Sequence, residues 1–144
     1  MRNRFKKLSF LFSLIITISL ASGSMAKNFP PLSIPGFQGI WDFTFYDASG
    51  KMQGKKTLQI SEDGSVSGKV IMNIDNTIYN TEVSAVITKR GKVNDGSLTD
   101  TDRLEMVGSL TGSFSESEGG KGAWKNYYGK SGTWEAKRSD KENR

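Results

Sequence analysis

The sequence predicts an all-β domain, an antiparallel up-and-down meander that closes into a small barrel of seven or eight strands. Three observations predict it. From Phe37 to Arg138 apolar residues recur with period two, and no window sustains a helical period. Turn signals such as Asp63-Gly64, Asp75-Asn76 and Gly129-Lys130 separate the runs at short intervals. Glycines also fall repeatedly on the apolar phase, at Gly54, Gly68, Gly108, Gly112, Gly122 and Gly132. Glycine weakens a flat strand but suits a sheet coiled tightly enough to close. Closure also removes the two open edges that a meander otherwise leaves.

The elements follow in order. Residues 1–26 have the form of a secretory leader. Arg2, Arg4, Lys6 and Lys7 precede a 14-residue apolar run, Leu8 to Ala21, and Ser24 and Ala26 supply the small residues of a cleavage site. The run is short of the roughly 20 residues that span a bilayer. Cleavage is expected after Ala26, with Ala21 as second choice, so the exported chain begins at Lys27. No cysteine follows the run, which excludes a lipoprotein anchor. Residues 27–36 read as an extended arm, because Pro30, Pro31 and Pro35 forbid regular pairing.

The domain proper runs from 37 to 138. Its first strand places Phe37, Gly39, Trp41, Phe43 and Phe45 on one face. Met52, Gly54, Leu58 and Ile60 share the next inner face, and Lys56 falls among them. Val66, Gly68, Val70, Met72 and Ile74 follow, then Tyr79, Thr81, Val83, Ala85 and Ile87. The polar stretch 92–102 allows a short extra strand near Gly96 to Thr99. Leu104, Met106, Gly108, Leu110, Gly112 and Phe114 keep one phase. Gly122 and Trp124 follow, with Tyr128 before a turn, and the last strand is Ser131 to Arg138 with Gly132, Trp134 and Ala136 inward. Residues 139–144 read as a charged, frayed tail.

Each tryptophan has a glycine two residues before it, as Gly39/Trp41, Gly122/Trp124 and Gly132/Trp134. Residues two apart in a strand share a face, so each indole is expected to cover its own glycine. That gives Gly39, Gly122 and Gly132 a structural role. If the barrel closes, the first strand pairs with the last. Trp41 and Trp134 then approach the same end of the core, and Arg138 can lie across Trp41.

Composition narrows the chemistry. The full chain carries 20 basic and 15 acidic residues. Four of the basic residues and no acid fall in the leader, so 16 basic and 15 acidic remain, a net +1. No basic face for nucleic acid is implied. With no histidine and no cysteine, the chain cannot build a Ser-His-Asp or Cys-His nucleophile or a histidine zinc site. Nothing selects a carboxylate pair for hydrolysis. Asp95, Asp100, Asp102 and Glu105 lack calcium-loop spacing and read as a solvated loop. No enzyme activity, metal or cofactor is expected. The lack of cysteine and of any Asn-x-Ser/Thr site points to a bacterial periplasmic or secreted protein.

The expected function is non-catalytic binding of a small, partly apolar molecule in or at the mouth of the barrel, since barrels of this size either fill with side chains or hold one small ligand. The candidate ligand-binding residues are Trp41, Phe43, Phe45, Lys56, Tyr79, Phe114, Trp124, Tyr128 and Trp134, with Leu58, Val70 and Met106 completing the lining. Lys56 would meet a ligand carboxylate or phosphate, unless a bulge or a position near the rim turns it outward. The alternative is an envelope or secreted interaction protein whose solid barrel binds a partner through its outer face or loops. Neither a nucleic-acid partner nor a membrane span after leader removal is expected.

Gly39-Ile40-Trp41 opening the first strand of a meander resembles the start of a calycin barrel, the lipocalin and avidin group. The resemblance implies that a late basic residue, here Arg138, covers the first-strand tryptophan at the closed end. Leu110-Thr111-Gly112-Ser113-Phe114 and Ala123-Trp124-Lys125-Asn126-Tyr127-Tyr128 are similar to stretches of bacterial avidins. The likeness to avidins would put Trp124 against a ligand, and it carries no biotin assignment.

Overall fold

A computed structural model describes residues 36–140 of the protein. The leader, residues 27–35 of the arm and residues 141–144 lie outside the described residues. Eight strands run in sequence: β1 (Gly39–Asp47), β2 (Met52–Ile60), β3 (Ser65–Ile74), β4 (Thr77–Ile87), β5 (Val93–Asp100), β6 (Glu105–Ser115), β7 (Gly119–Asn126) and β8 (Ser131–Arg138). Each pairs with its neighbour, and β8 returns to β1, so the sheet closes as a barrel in the order β1-β2-β3-β4-β5-β6-β7-β8. All pairings are antiparallel. The polar stretch after Gly91 forms a full strand, β5.

The closing ladder runs from Trp41↔Arg138 to Asp47↔Gly132. Arg138 stacks its guanidinium 4.7 Å from the Trp41 ring centroid. Its Nη1 donates to the Gln38 carbonyl at 2.9 Å and its Nη2 to the Gly36 carbonyl at 2.8 Å. One planar fork thus binds the entering chain and covers the first indole. Lysine cannot stack and fork at once, so Arg138→Lys should cost about 1–2 kcal/mol. Denaturant melts read the loss, and a change within about 0.3 kcal/mol would mean that the clamp contributes nothing to stability.

At this closed end Phe37 packs on Phe114, with ring centroids 5.7 Å apart, and its carbonyl accepts the Trp41 Nε1 proton at 2.8 Å. The turns here tie sideways to the next hairpin. The Gly64 carbonyl accepts from Ile87 N at 2.8 Å, and the Gly91 carbonyl from Phe114 N at 2.7 Å. Both glycines have left-handed backbone, φ 85° and 83°. A Cβ on Gly64 would lie 2.1 Å from the Ile87 carbonyl oxygen, and one on Gly91 2.1 Å from that of Phe114. The charged tail also starts anchored, since Ser139 is buried and its amide donates to the Ile40 carbonyl at 2.9 Å.

The interior is filled by side chains. Trp41, Phe43, Phe45, Leu58, Val70, Phe114, Trp124 and Trp134 are all buried. Phe43 stacks on Trp134 at 5.9 Å, and Phe114 touches Trp41, Phe43 and Trp134 at 5.2, 6.2 and 5.7 Å.

Several expectations are corrected. Trp41 and Trp134 do not sit at one level: Trp41 faces Arg138, whereas Trp134 faces Phe45 farther along β1. The indoles on β7 and β8 cover each other's glycines rather than their own. Trp124 pairs with Gly132 and Trp134 with Gly122, and a Cβ at either glycine would lie 2.8 Å from the facing indole nitrogen. Directly opposed residues are closer than residues two apart on one strand, so the cross-strand glycine takes the ring.

Two bulges shift the predicted phase. One at Phe45/Tyr46 pairs Tyr46 with Met52 and skips Gln53. Met52 is therefore exposed and Gln53 buried, its Nε2 donating to Asp47 Oδ2 and the Lys51 carbonyl. The other pairs Leu98 with Gly108 and Thr99 with Met106. The skipped Val107 packs on the core, and Met106 is 54% exposed, outside the lining. Lys56 pairs with Phe43, in phase with Leu58 and Ile60, yet it is exposed. The irregularity is not at Lys55-Lys56. β2 and β3 are laddered at the single pair Ile60↔Val66, at the far end of β2 from its start, and a long aliphatic stem can carry the Lys56 ammonium out to water.

Candidate functional site

Antiparallel hairpins send alternate turns to opposite ends. The end away from Arg138 carries the turns after β1, β3, β5 and β7, at residues 48–51, 75–76, 101–104 and 127–130. The turn after β1 is built by Asp47, whose Oδ1 accepts from Ser49 N, Ser49 Oγ and Lys51 N at 2.9, 2.6 and 2.9 Å. These bonds, that from the Ser49 hydroxyl foremost, hold its carboxyl below the usual range. Asp75 and Asn76, at φ 51° and 64°, form the tight turn after β3. Asp100 Oδ1 accepts from Asp102 N and Arg103 N in the turn after β5. In the turn after β7, Asn126 Oδ1 accepts from Tyr128 N and Lys130 N, and Tyr127 N donates to the Val107 carbonyl.

Across the mouth, Lys130 Nζ pairs with Asp75 Oδ2. The pair joins the turn after β7 to the turn after β3, which are not neighbours in the sheet. Two spaces lie at this end. One is a recess of about 20 Å³ walled by Met72, Ile74, Tyr79, Leu98, Trp124 and Tyr128, with Asp100 and Asn126 at its edge. That is room for about one water molecule. The other, which the pair itself lines, is an open cleft of about 300 Å³ with Asp47, Ser49, Gln53, Ile74, Asp75, Trp124, Gly129 and Lys130 around it. Ile74 and Trp124 wall both. Trp124 is fixed there, its Nε1 donating to the Tyr46 carbonyl at 2.8 Å.

Of the sequence candidates, Tyr79, Trp124 and Tyr128 meet at this mouth. Tyr79 is half-buried and Tyr128 is 57% exposed. Trp41, Phe43, Phe45, Phe114 and Trp134, with Leu58 and Val70, belong to the packed interior. Lys56 stands apart from the mouth and lines a separate cleft of about 450 Å³ with Asp42, Phe43, Thr44, Lys55 and Thr57. Sequence reasoning missed Asp75 and Lys130, which read only as turn residues, Met72, which read as ordinary core, and Leu98 and Val107, which had no inward place in the predicted phase.

The same end also exposes Leu104, Met106, Ile78 and Tyr127. Leu104 is 86% exposed and has φ 55°, a backbone that a bulky side chain adopts at a cost of about 1–2 kcal/mol. Exposure and backbone both disfavour leucine, so folding does not explain it. Leu104→Asn should raise stability by about 0.5–1 kcal/mol, since asparagine tolerates this conformation. Thermal melts check it, and a loss of stability would show that Leu104 packs on something.

Among the described residues no group of three or more acids is placed to hold a metal ion, and no helix is long and apolar enough to cross a membrane. No protein-family model matches the chain, and no curated protein or solved structure matches it.

Proposed function

We propose that this is an exported, non-catalytic binding protein that takes a small, partly apolar molecule at the mouth of its barrel. The observation that carries this reading is where space and apolar surface coincide. The interior is packed, so a ligand deep in the barrel has no room. At the mouth an open cleft of about 300 Å³ shares Ile74 and Trp124 with an apolar recess under Tyr128, and that volume matches the lower range of small-molecule sites. The closed end supports a calycin-type reading of the fold, since Arg138 covers Trp41. The leader-like residues 1–26 support export to a periplasm or the exterior.

Native mass spectrometry of protein purified from its own host tests the reading. A co-purified small molecule is expected, and binding should move the indole N–H resonance of Trp124 and leave that of Trp41 in place. A bound molecule that moves only the Trp41 signal would overturn the mouth as the site.

A second reading is favoured by the outer wall. Ile71 and Ile78 are exposed on β3 and β4, at 65% and 59%. Ile71 faces Asn80 and Ile78 faces Asn73, so the two isoleucines are diagonal neighbours. A solid barrel that binds a protein or a surface would use such a patch. Recovery of a protein partner and no small molecule, with the contact abolished by Ile71→Lys, would establish it in place of the first.

A further inference from the structure

The ion pair across the mouth has a chemistry of its own. Among the described residues, Lys130 is the only cation lining either space. The carboxylates of Asp47 and Asp75 line the cleft, and that of Asp100 lies at the recess. Asp47 and Asp100 are committed to amide donors in their own turns, and Arg103 pairs with Asp100 at 3.9 Å. Among the described residues the Asp75 carboxylate is paired with Lys130. Three aromatic rings, Tyr79, Trp124 and Tyr128, wall the recess. Carboxylates beside aromatic faces favour an organic cation over an anion or a neutral molecule.

The seat already holds one such cation. The Lys130 ammonium sits on Asp75, and that bond, with the nearby Tyr79 reinforcing it, raises the lysine's pKa above its ordinary value. The turn that carries Lys130, Tyr127-Tyr128-Gly129-Lys130, has Gly129 at φ 84° with open space around it. The pair is exposed on both sides, so it is a weak fastening that a competitor can displace. The 20 Å³ recess and the 300 Å³ cleft share Ile74 and Trp124 as lining.

We infer that the mouth is a gated site for an organic ammonium compound with an apolar body, and that Lys130 is a built-in stand-in for the ligand's cation. The inference rests on the mouth-binding reading above and names its ligand class. The ligand's ammonium takes the place of Lys130 on Asp75. Its apolar body lies on Trp124 and Ile74 and enters the recess beneath Tyr128, while the turn after β7 moves aside.

The experiment is titration of the full exported chain with three probes of equal chain length: octyltrimethylammonium, octanoate and octyl glucoside, below their micelle concentrations. The readouts are calorimetric Kd and the Trp124 indole resonance, assigned with Trp124→Phe. The ammonium probe is expected to bind tightest. Lys130→Gln, which removes the competitor and keeps Asp75, should tighten it about tenfold, and Asp75→Asn should weaken it about tenfold. Raising the salt should weaken the ammonium probe in the Lys130→Gln variant, where its charge faces Asp75 alone. Thermal melts confirm that both variants fold. Tighter binding of octanoate, or a Kd for the ammonium probe that Lys130→Gln leaves unchanged, would overturn the cation seat while the mouth reading stands. If no probe of any charge moves Trp124 in the wild type or in Lys130→Gln, the mouth reading falls with it.

Discussion

Gly132→Val should destabilise the domain by about 3 kcal/mol or more, at the top of the range for overpacking. A Cβ built at Gly132 lies 1.8 Å from the Tyr46 carbonyl oxygen, 2.9 Å from the Asp47 Cα and 2.8 Å from the Trp124 indole nitrogen. Two of these neighbours are backbone of β1, which is laddered to β8 through Tyr46↔Thr133 and Asp47↔Gly132. They can move only by opening the seam that closes the barrel. The same oxygen accepts the Trp124 Nε1 proton, so the substitution also threatens a hydrogen bond whose loss leaves a buried donor unpaired, at about 1–3 kcal/mol. Gly122→Val should behave alike, because its Cβ would stand 1.9 Å from the Thr111 carbonyl that receives the Trp134 indole proton. Urea denaturation of each variant, with Gly50→Val as a control in open space, measures the effect. Gly50 has φ 84°, so the control carries backbone strain without the clash. A Gly132→Val loss no greater than the control's would mean that β1 and β8 do not meet as described.

The barrel could be read from the chain because its strands are long and strictly alternating. A period of two, carried over nine and eleven residues, as in β1 and β4, fixes which side chains face inward and leaves little freedom in the order of a meander. The closing partners followed from the same logic, since a closed meander must join its first strand to its last. What alternation cannot carry is the place of a bulge. One extra residue in β2 put Gln53 inside and Met52 outside, and one in β6 did the same for Val107 and Met106. Neither site is marked by a residue type that a bulge requires. Register is invisible for a similar reason. Gly122/Trp124 and Gly132/Trp134 share a spacing that suggests a glycine and its ring on one strand. Only the β7–β8 register shows that each ring lies on the other strand's glycine.

The mouth was less legible than the core. Tyr79, Trp124 and Tyr128 stood out as aromatics, whereas Asp75 and Lys130 were read from their turn chemistry alone. Their meeting depends on where two hairpins that share no ladder come to rest around the ring, which is a property of barrel size and tilt. No local pattern encodes it. The aromatic cluster around Phe114 shows the converse: large inward rings on β1, β6 and β8 suggest a lined pocket as readily as a filled one, and only their mutual distances decide.

Those distances set the last expectation. Phe114→Ala should cost about 3–5 kcal/mol, the usual loss for deleting a buried aromatic ring. Phe114 is 4% exposed and has four aromatic neighbours, Phe37, Trp41, Phe43 and Trp134, with centroids between 5.2 and 6.2 Å. No flexible side chain is on hand to refill the space, because these neighbours are rings, and two of them are tied by indole hydrogen bonds to the Phe37 and Thr111 carbonyls. Phe114→Leu, which keeps more of the volume, should lose markedly less. The variant also separates core from mouth. Phe114 lies toward the closed end, opposite Gly120, while the recess and cleft are bounded by Trp124, Ile74 and the turns of the other end. At a temperature where Phe114→Ala remains folded, its affinity for a mouth ligand should match that of the wild type. A loss of stability below about 1 kcal/mol would show that the rings do not pack as described. Intact stability paired with lost binding would move the ligand from the mouth into the barrel.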